Sequence, residues 1–178
     1  LHHGSEDLHL LVLMKTVYPP KRISQPHVFR AGTIDNGDSR DWQTELVTEL
    51  NKHLDTVSPF VDFVFANPRR TDWNTNWHGD HPELIKQIKW ELNAMRYADS
   101  IFMWFEPNSK SPVTMLELGL FAGTDKLIVG CPTEFYRHQN IATTVSWART
   151  NFLSDIEFAL DWDGFVKRCK RRLNRDYT

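Results

Sequence analysis

The chain has few of the features that usually announce a function. It has two widely separated cysteines, Cys131 and Cys169. That excludes a disulfide framework and any paired-cysteine metal or redox motif, and fits free thiols in a reducing compartment. Eight glycines are spread along the sequence, with no G-x-G-x-x-G opening a helix and no Gly-rich triphosphate cradle, so the dinucleotide and P-loop fingerprints are missing. No apolar run approaches the ~20 residues that a bilayer-spanning helix needs. Charge of one sign is lacking too. A formal charge of -2 gives no general pull toward nucleic acid or anionic membrane. The basic run Lys167 to Arg172 reads as a solvated helix face, not a nucleic-acid signal. Internal repeats and low-complexity segments are absent.

Leu1-His2-His3-Gly4-Ser5 reads as the remnant of an appended tag and Met14 as a native start. Residues 1–13 are therefore set apart from a single domain over 14–178. The stretch Leu8 to Met14 is broken by His9 and has no charged leader or small-residue cleavage site, so a cytoplasmic protein is expected.

What the chain does have is seven tryptophans and eleven phenylalanines in a sequence that is 40% hydrophobic, the composition of an aromatic-rich globular core. Strand-like runs occur at His27–Gly32, Val61–Ala66, Ser100–Phe105 and Lys126–Cys131. Helical patterns lie between them. Trp42, Leu46, Leu50 and Leu54 recur every four residues, and Leu84, Ile88, Leu92 and Met95 keep helical spacing over 82–97. Asp80 with Glu83 predicts a capping-box start for that second helix. Ser111 as N-cap and Pro112 as first helical residue predict a third, running to about Gly123. Its apolar residues spread all round, which predicts a covered helix. A further helical stretch leads from Gln139 toward Trp147, and residues 155–175 read as mostly helical. Strands alternating with helices, each crossover long enough for a parallel connection, predict a flavodoxin-like α/β three-layer sandwich with a four- or five-stranded parallel sheet.

Two carboxylates stand out against this pattern. Glu117 sits between apolar residues of the third helix, and Glu91 adjoins the apolar stripe of the second. Buried acids need either basic partners or a chemical role. One precedes and one follows the strand at Ser100, so both can converge at its carboxyl end, where α/β sheets place ligands. Arg69 and Arg70 follow the second strand and present planar donor forks suited to phosphate, carboxylate or carbonyl groups, or to ion pairs with the loop's own acids. Ser111 is economical as a plain N-cap, and with Ser109 it is equally suited to receive a phosphate. His78-Gly79-Asp80-His81 fits no metal-ligand spacing.

Ala31-Gly32, Asn67-Pro68-Arg69-Arg70, Gln87, Trp90-Glu91, Ala98-Asp99 and Leu116-Glu117-Leu118-Gly119, taken in order, resemble the nucleoside 2-deoxyribosyltransferase family over roughly residues 27–147. The resemblance implies cleavage of an N-glycosidic bond and deoxyribosyl transfer between bases, with no metal and no organic cofactor. Glu117 matches the family's nucleophile. Glu91 matches its second acid, which is usually Asp. Gly32, Asp35, Asn67, Arg69, Arg70 and Trp73 are implied as substrate contacts, with the Trp73–His78 loop closing over a nucleobase. Ser111 falls where transferases often hold a carboxylate for the sugar 5′-hydroxyl. Related hydrolases of deoxynucleoside 5′-monophosphates carry Ser there, which opens the alternative of a 5′-monophosphate N-glycosidase. Asn140 resembles an Asn that family members contribute from a neighbouring subunit, implying a homo-oligomer with shared sites. Outside the enzyme class, a nucleotide-binding module without turnover is the alternative.

Overall fold

The computed structural model describes residues 15–34, 39–52 and 63–177. Its elements run β1 (Thr16–Val17), β2 (His27–Gly32), α1 (Trp42–Asn51), β3 (Val64–Ala66), α2 (Pro82–Tyr97), β4 (Ser100–Trp104), α3 (Pro112–Phe121), β5 (Leu127–Gly130), α4 (His138–Asn151), β6 (Glu157–Ala159) and α5 (Trp162–Tyr177). The six strands form one sheet in the order β1-β3-β2-β4-β5-β6, and every pairing is parallel. This is the expected flavodoxin-like sandwich, with a short strand added at each edge. Both additions complete backbone pairing that the edges would otherwise lack. Phe65 and Asn67 donate to the Lys15 and Val17 carbonyls, and Cys131 donates to that of Ala159. The Glu157–Ala159 strand therefore interrupts what the sequence reads as a largely helical tail.

Residue alternation sends side chains to two cores. Phe29, Ala31, Ile101, Met103, Leu127 and Val129 pack with α2, α3 and α4. Val28, Phe102, Trp104 and Ile128 pack with α1 and α5. At roughly 2 kcal/mol for each large apolar side chain fully removed from water, these layers dominate the stability of the domain. Arg30 shares the second layer. Its guanidinium lies over Phe65 and donates to the Gln43 carbonyl at 2.7 Å and to Thr16 at 3.2 Å. Burial lowers its pKa to about 10, so it stays charged at neutral pH.

Two local expectations are corrected. The N-cap of α2 is His81, not Asp80: its Nδ1 accepts from the Glu83 amide at 3.2 Å. Moreover, α3 is not covered all round. Val113, Leu116 and Leu120 are 60%, 65% and 57% exposed, because the sheet takes only the stripe that carries Thr114, Glu117 and Leu118.

Candidate active site

The carboxyl ends of β2 and β4 adjoin where the chain's path across the sheet reverses. Strand β3 lies on one side of β2, and the next strand, β4, lies on the other. Open α/β sheets form ligand crevices at such points. Here the first residue beyond β2, Thr33, is buried. Its Oγ1 accepts the Glu106 amide at 3.0 Å and meets Ser109 Oγ at 3.0 Å and Ser111 Oγ. Ser109 and Ser111 meet each other at 2.6 Å, closing a ring of three hydroxyls. Ser111 occupies the N-cap position of α3 in the left-handed region (φ 45°), and its side chain makes no capping bond. The plain N-cap reading is thus replaced: the hydroxyl is directed into the ring.

Gly32 sits just before Thr33 with φ 137°. An added Cβ would fall 2.3 Å from the Trp104 carbonyl oxygen. Glycine is required there by the close approach of β2 to β4, so packing alone accounts for it. Asp35 lies outside the described residues.

Beyond β3, buried Asn67 accepts the Arg69 amide on Oδ1 at 3.0 Å, an Asx turn that shapes the Asn-Pro-Arg-Arg segment. The Arg69 guanidinium reaches Ser39 Oγ at 3.1 Å, the Arg40 carbonyl at 3.1 Å and Asp41 at 3.5 Å. That places it beside the carboxyl end of β2, since Ser39 in turn bonds the Thr33 carbonyl. Arg70 is committed elsewhere. It grips Asp72 through two bonds of 2.8 and 2.6 Å and lies 4.7 Å over the Trp77 ring, with only 5% of its side chain exposed. Trp77 also contacts Trp73 edge-on and stacks on His81. Arg70 thereby organises the aromatic loop.

Glu117 and Glu91 project from neighbouring helices. Glu117 is 7% exposed, and its pKa is raised to about 8, first by burial and then by the charge of Glu91. Glu91 is half-buried, and burial raises its pKa to about 7 against the opposing hydrogen bond from Gln87. The two acids therefore lie near enough to feel each other, and no basic group counters either shift. Near neutrality such a pair shares one proton, leaving one carboxylic acid and one carboxylate together.

The structure thus brings Glu91 and Glu117 together, and separately Thr33, Ser109, Ser111 and Arg69. Asn140 is exposed in the first turn of α4. Sequence reading places Thr33 at the start of the polar loop after β2 but singles out Asp35 there; a short polar residue at a strand's carboxyl end was the available signal for Thr33. Among the described residues, no three His, Cys, Asp or Glu side chains gather as a metal-binding group, and no helix is long and apolar enough to cross a membrane. A comparison with curated proteins finds no match. A family model described as "Nucleoside 2-deoxyribosyltransferase like" matches residues 25–135.

Proposed function

Because the chain belongs to the nucleoside 2-deoxyribosyltransferase-like family, we propose that it cleaves the N-glycosidic bond of a deoxynucleoside and transfers the deoxyribosyl group to another base. The observation that carries this reading is the pair of buried Glu117 and half-buried Glu91, both raised toward neutrality with no basic group to counter the shift. Breaking the bond between the anomeric carbon and the base nitrogen builds positive charge on the sugar. That charge favours ionised Glu117, so the shared proton moves to Glu91. Glu91 delivers it to the departing base nitrogen while a Glu117 oxygen bonds the anomeric carbon as a glycosyl ester. In the second half, an acceptor base attacks the same carbon and returns its proton to Glu91, and Glu117 leaves as the carboxylate.

A second reading is favoured by the Thr33, Ser109 and Ser111 hydroxyls. They are neutral groups where a carboxylate would repel a phosphate, which suits a 5′-monophosphate substrate whose glycosyl ester is hydrolysed by water. Intact-mass spectrometry after brief exposure to purine and pyrimidine deoxynucleosides and their 5′-monophosphates tests both readings. The expected result is a gain of one deoxyribosyl group, with or without phosphate, mapped to Glu117. Exchange of bases then identifies transfer, and free sugar identifies hydrolysis. Absence of any adduct, base release or exchange with all these substrates overturns the catalytic reading.

The exposed face of α3 bears on assembly. Val113, Leu116, Gly119 and Leu120 carry no charge, and Ile88 and Leu92 on α2 are also exposed. Together with Ile85 they leave six large apolar side chains exposed on two helices, and exposed apolar surface gathered on one side of a domain marks an interaction site. An uncharged face can pair with itself without like-charge repulsion, and the occupant proposed here is a second copy of this chain. Exposed Asn140 on α4 is the residue offered to the partner's site. Light scattering should give an assembly heavier than the 20.9 kDa chain, and Leu116→Glu should reduce it to the monomer with unchanged circular dichroism. A monomeric parent at micromolar concentration refutes the assignment.

A further inference from the structure

Gln87 is buried one helical turn before Glu91, 4% exposed. Its amide nitrogen donates twice, to the Pro68 carbonyl at 3.0 Å and to Glu91 Oε1 at 2.6 Å. A carboxamide nitrogen has two hydrogens, and both are used. A peptide carbonyl only accepts, so turning the amide over would set oxygen against oxygen at Pro68. The group facing Glu91 Oε1 is therefore fixed as a donor. Protonated Glu91 must then carry its hydrogen on Oε2, because a hydrogen on Oε1 would meet the Gln87 N–H. We infer that Gln87 is the positioning residue for Glu91: it selects the oxygen that bears the acid proton and ties the carboxyl group to the Asn-Pro-Arg-Arg segment through Pro68. The inference rests on the reading of Glu91 as the acid only for its catalytic consequence, since the hydrogen-bond polarity stands without it.

The bond also acts on the acid's strength. A donor to the carboxylate favours the ionised form and works against burial. The titratable group of α3 nearest in effect is Glu117, which is raised by the charge of Glu91 and is still largely protonated, hence neutral, where Glu91 titrates. Removing Gln87's donor leaves burial unopposed at Glu91, so Glu91 becomes a weaker acid.

The test uses the full chain labelled at the glutamate side-chain carboxyl carbon, with titration followed by NMR in the parent and in Gln87→Leu. Gln87→Met serves as the second variant should leucine's branch disturb α2, and circular dichroism verifies folding. The expected result is an upward move of the Glu91 midpoint by about one pH unit, a tenfold gain in proton affinity. In turnover, the alkaline limb of kcat should move in the same direction, with KM for the nucleoside unchanged. An unmoved Glu91 midpoint in a folded variant overturns the inference, even if the Glu117 adduct forms. A moved midpoint in a protein that yields no adduct and no turnover upholds the positioning of Glu91 while overturning the glycosyl-transfer reading.

Discussion

Replacing Glu117 by glutamine removes a proton-binding group while keeping the shape of the side chain. Glu117 binds its proton with a pKa of about 8 in place of the ordinary 4.5. The folded chain therefore retains a proton that the unfolded chain releases above pH 4.5, and this part of the stability is lost as pH rises from there to about 8. At about 1.4 kcal/mol per tenfold change in proton affinity the full span is roughly 5 kcal/mol, of which relaxation of the site toward water should leave about 2–4 kcal/mol observable. Glu91, raised to about 7, adds in the same direction over the lower part of that range. Glutamine has nothing to ionise, so Glu117→Gln should gain on the parent steadily with pH. Any cost of the amide itself is independent of pH. Thermal or urea denaturation at pH 5, 6.5 and 8.5 would read this as a difference in Tm that widens by ~5–10 °C between the extremes. A difference that stays flat across those conditions would refute the account of Glu117 as a carboxyl group forced to hold its proton by burial.

Two further outcomes follow from packing. Gly32→Ala should cost at least ~3 kcal/mol or abolish soluble folded protein, since both φ 137° and the 2.3 Å approach to the Trp104 oxygen oppose a side chain there; urea unfolding that shifts by less than about 1 kcal/mol would mean that β2 and β4 separate easily. Both thiols are buried, and burial raises Cys131 to about 12 and Cys169 well above the usual thiol range. A colorimetric thiol titration of the native protein near pH 8 should therefore show no fast-reacting group, with both cysteines reacting once denaturant is added. A rapid native reaction would contradict their placement.

Much of the frame was legible because the signals were local. Pro82 and the spacing of Leu84, Ile88 and Leu92 announced α2, and the apolar run from Ser100 announced β4, which stays paired with β2 as far as Trp104. The acid pair was legible for a different reason, as carboxylates set in apolar helices and then as positions shared with a family. The edge strands were not: two or three residues carry no periodicity, and β1 and β6 exist because a neighbouring strand offers them hydrogen bonds. Helix α3 misled because nearly every residue in it is apolar, so periodicity had no polar face by which to distinguish inside from outside. Gln87 was visible as a motif residue, but its task depends on the carbonyl of Pro68, which only the folded chain brings to it. Arg70 is the converse: two adjacent guanidinium groups looked equivalent in sequence, and Asp72 with Trp77 claims one of them.

The ring formed by Thr33, Ser109 and Ser111 is electrically silent: three alcohols that neither gain nor lose a proton anywhere in the range where proteins work. The Glu91–Glu117 pair, by contrast, changes its charge around neutrality. Acidity would then govern the acids and leave the alcohols indifferent. For an uncharged nucleoside, occupancy and turnover should part company along the pH axis, the Michaelis constant holding level while the rate rises and falls.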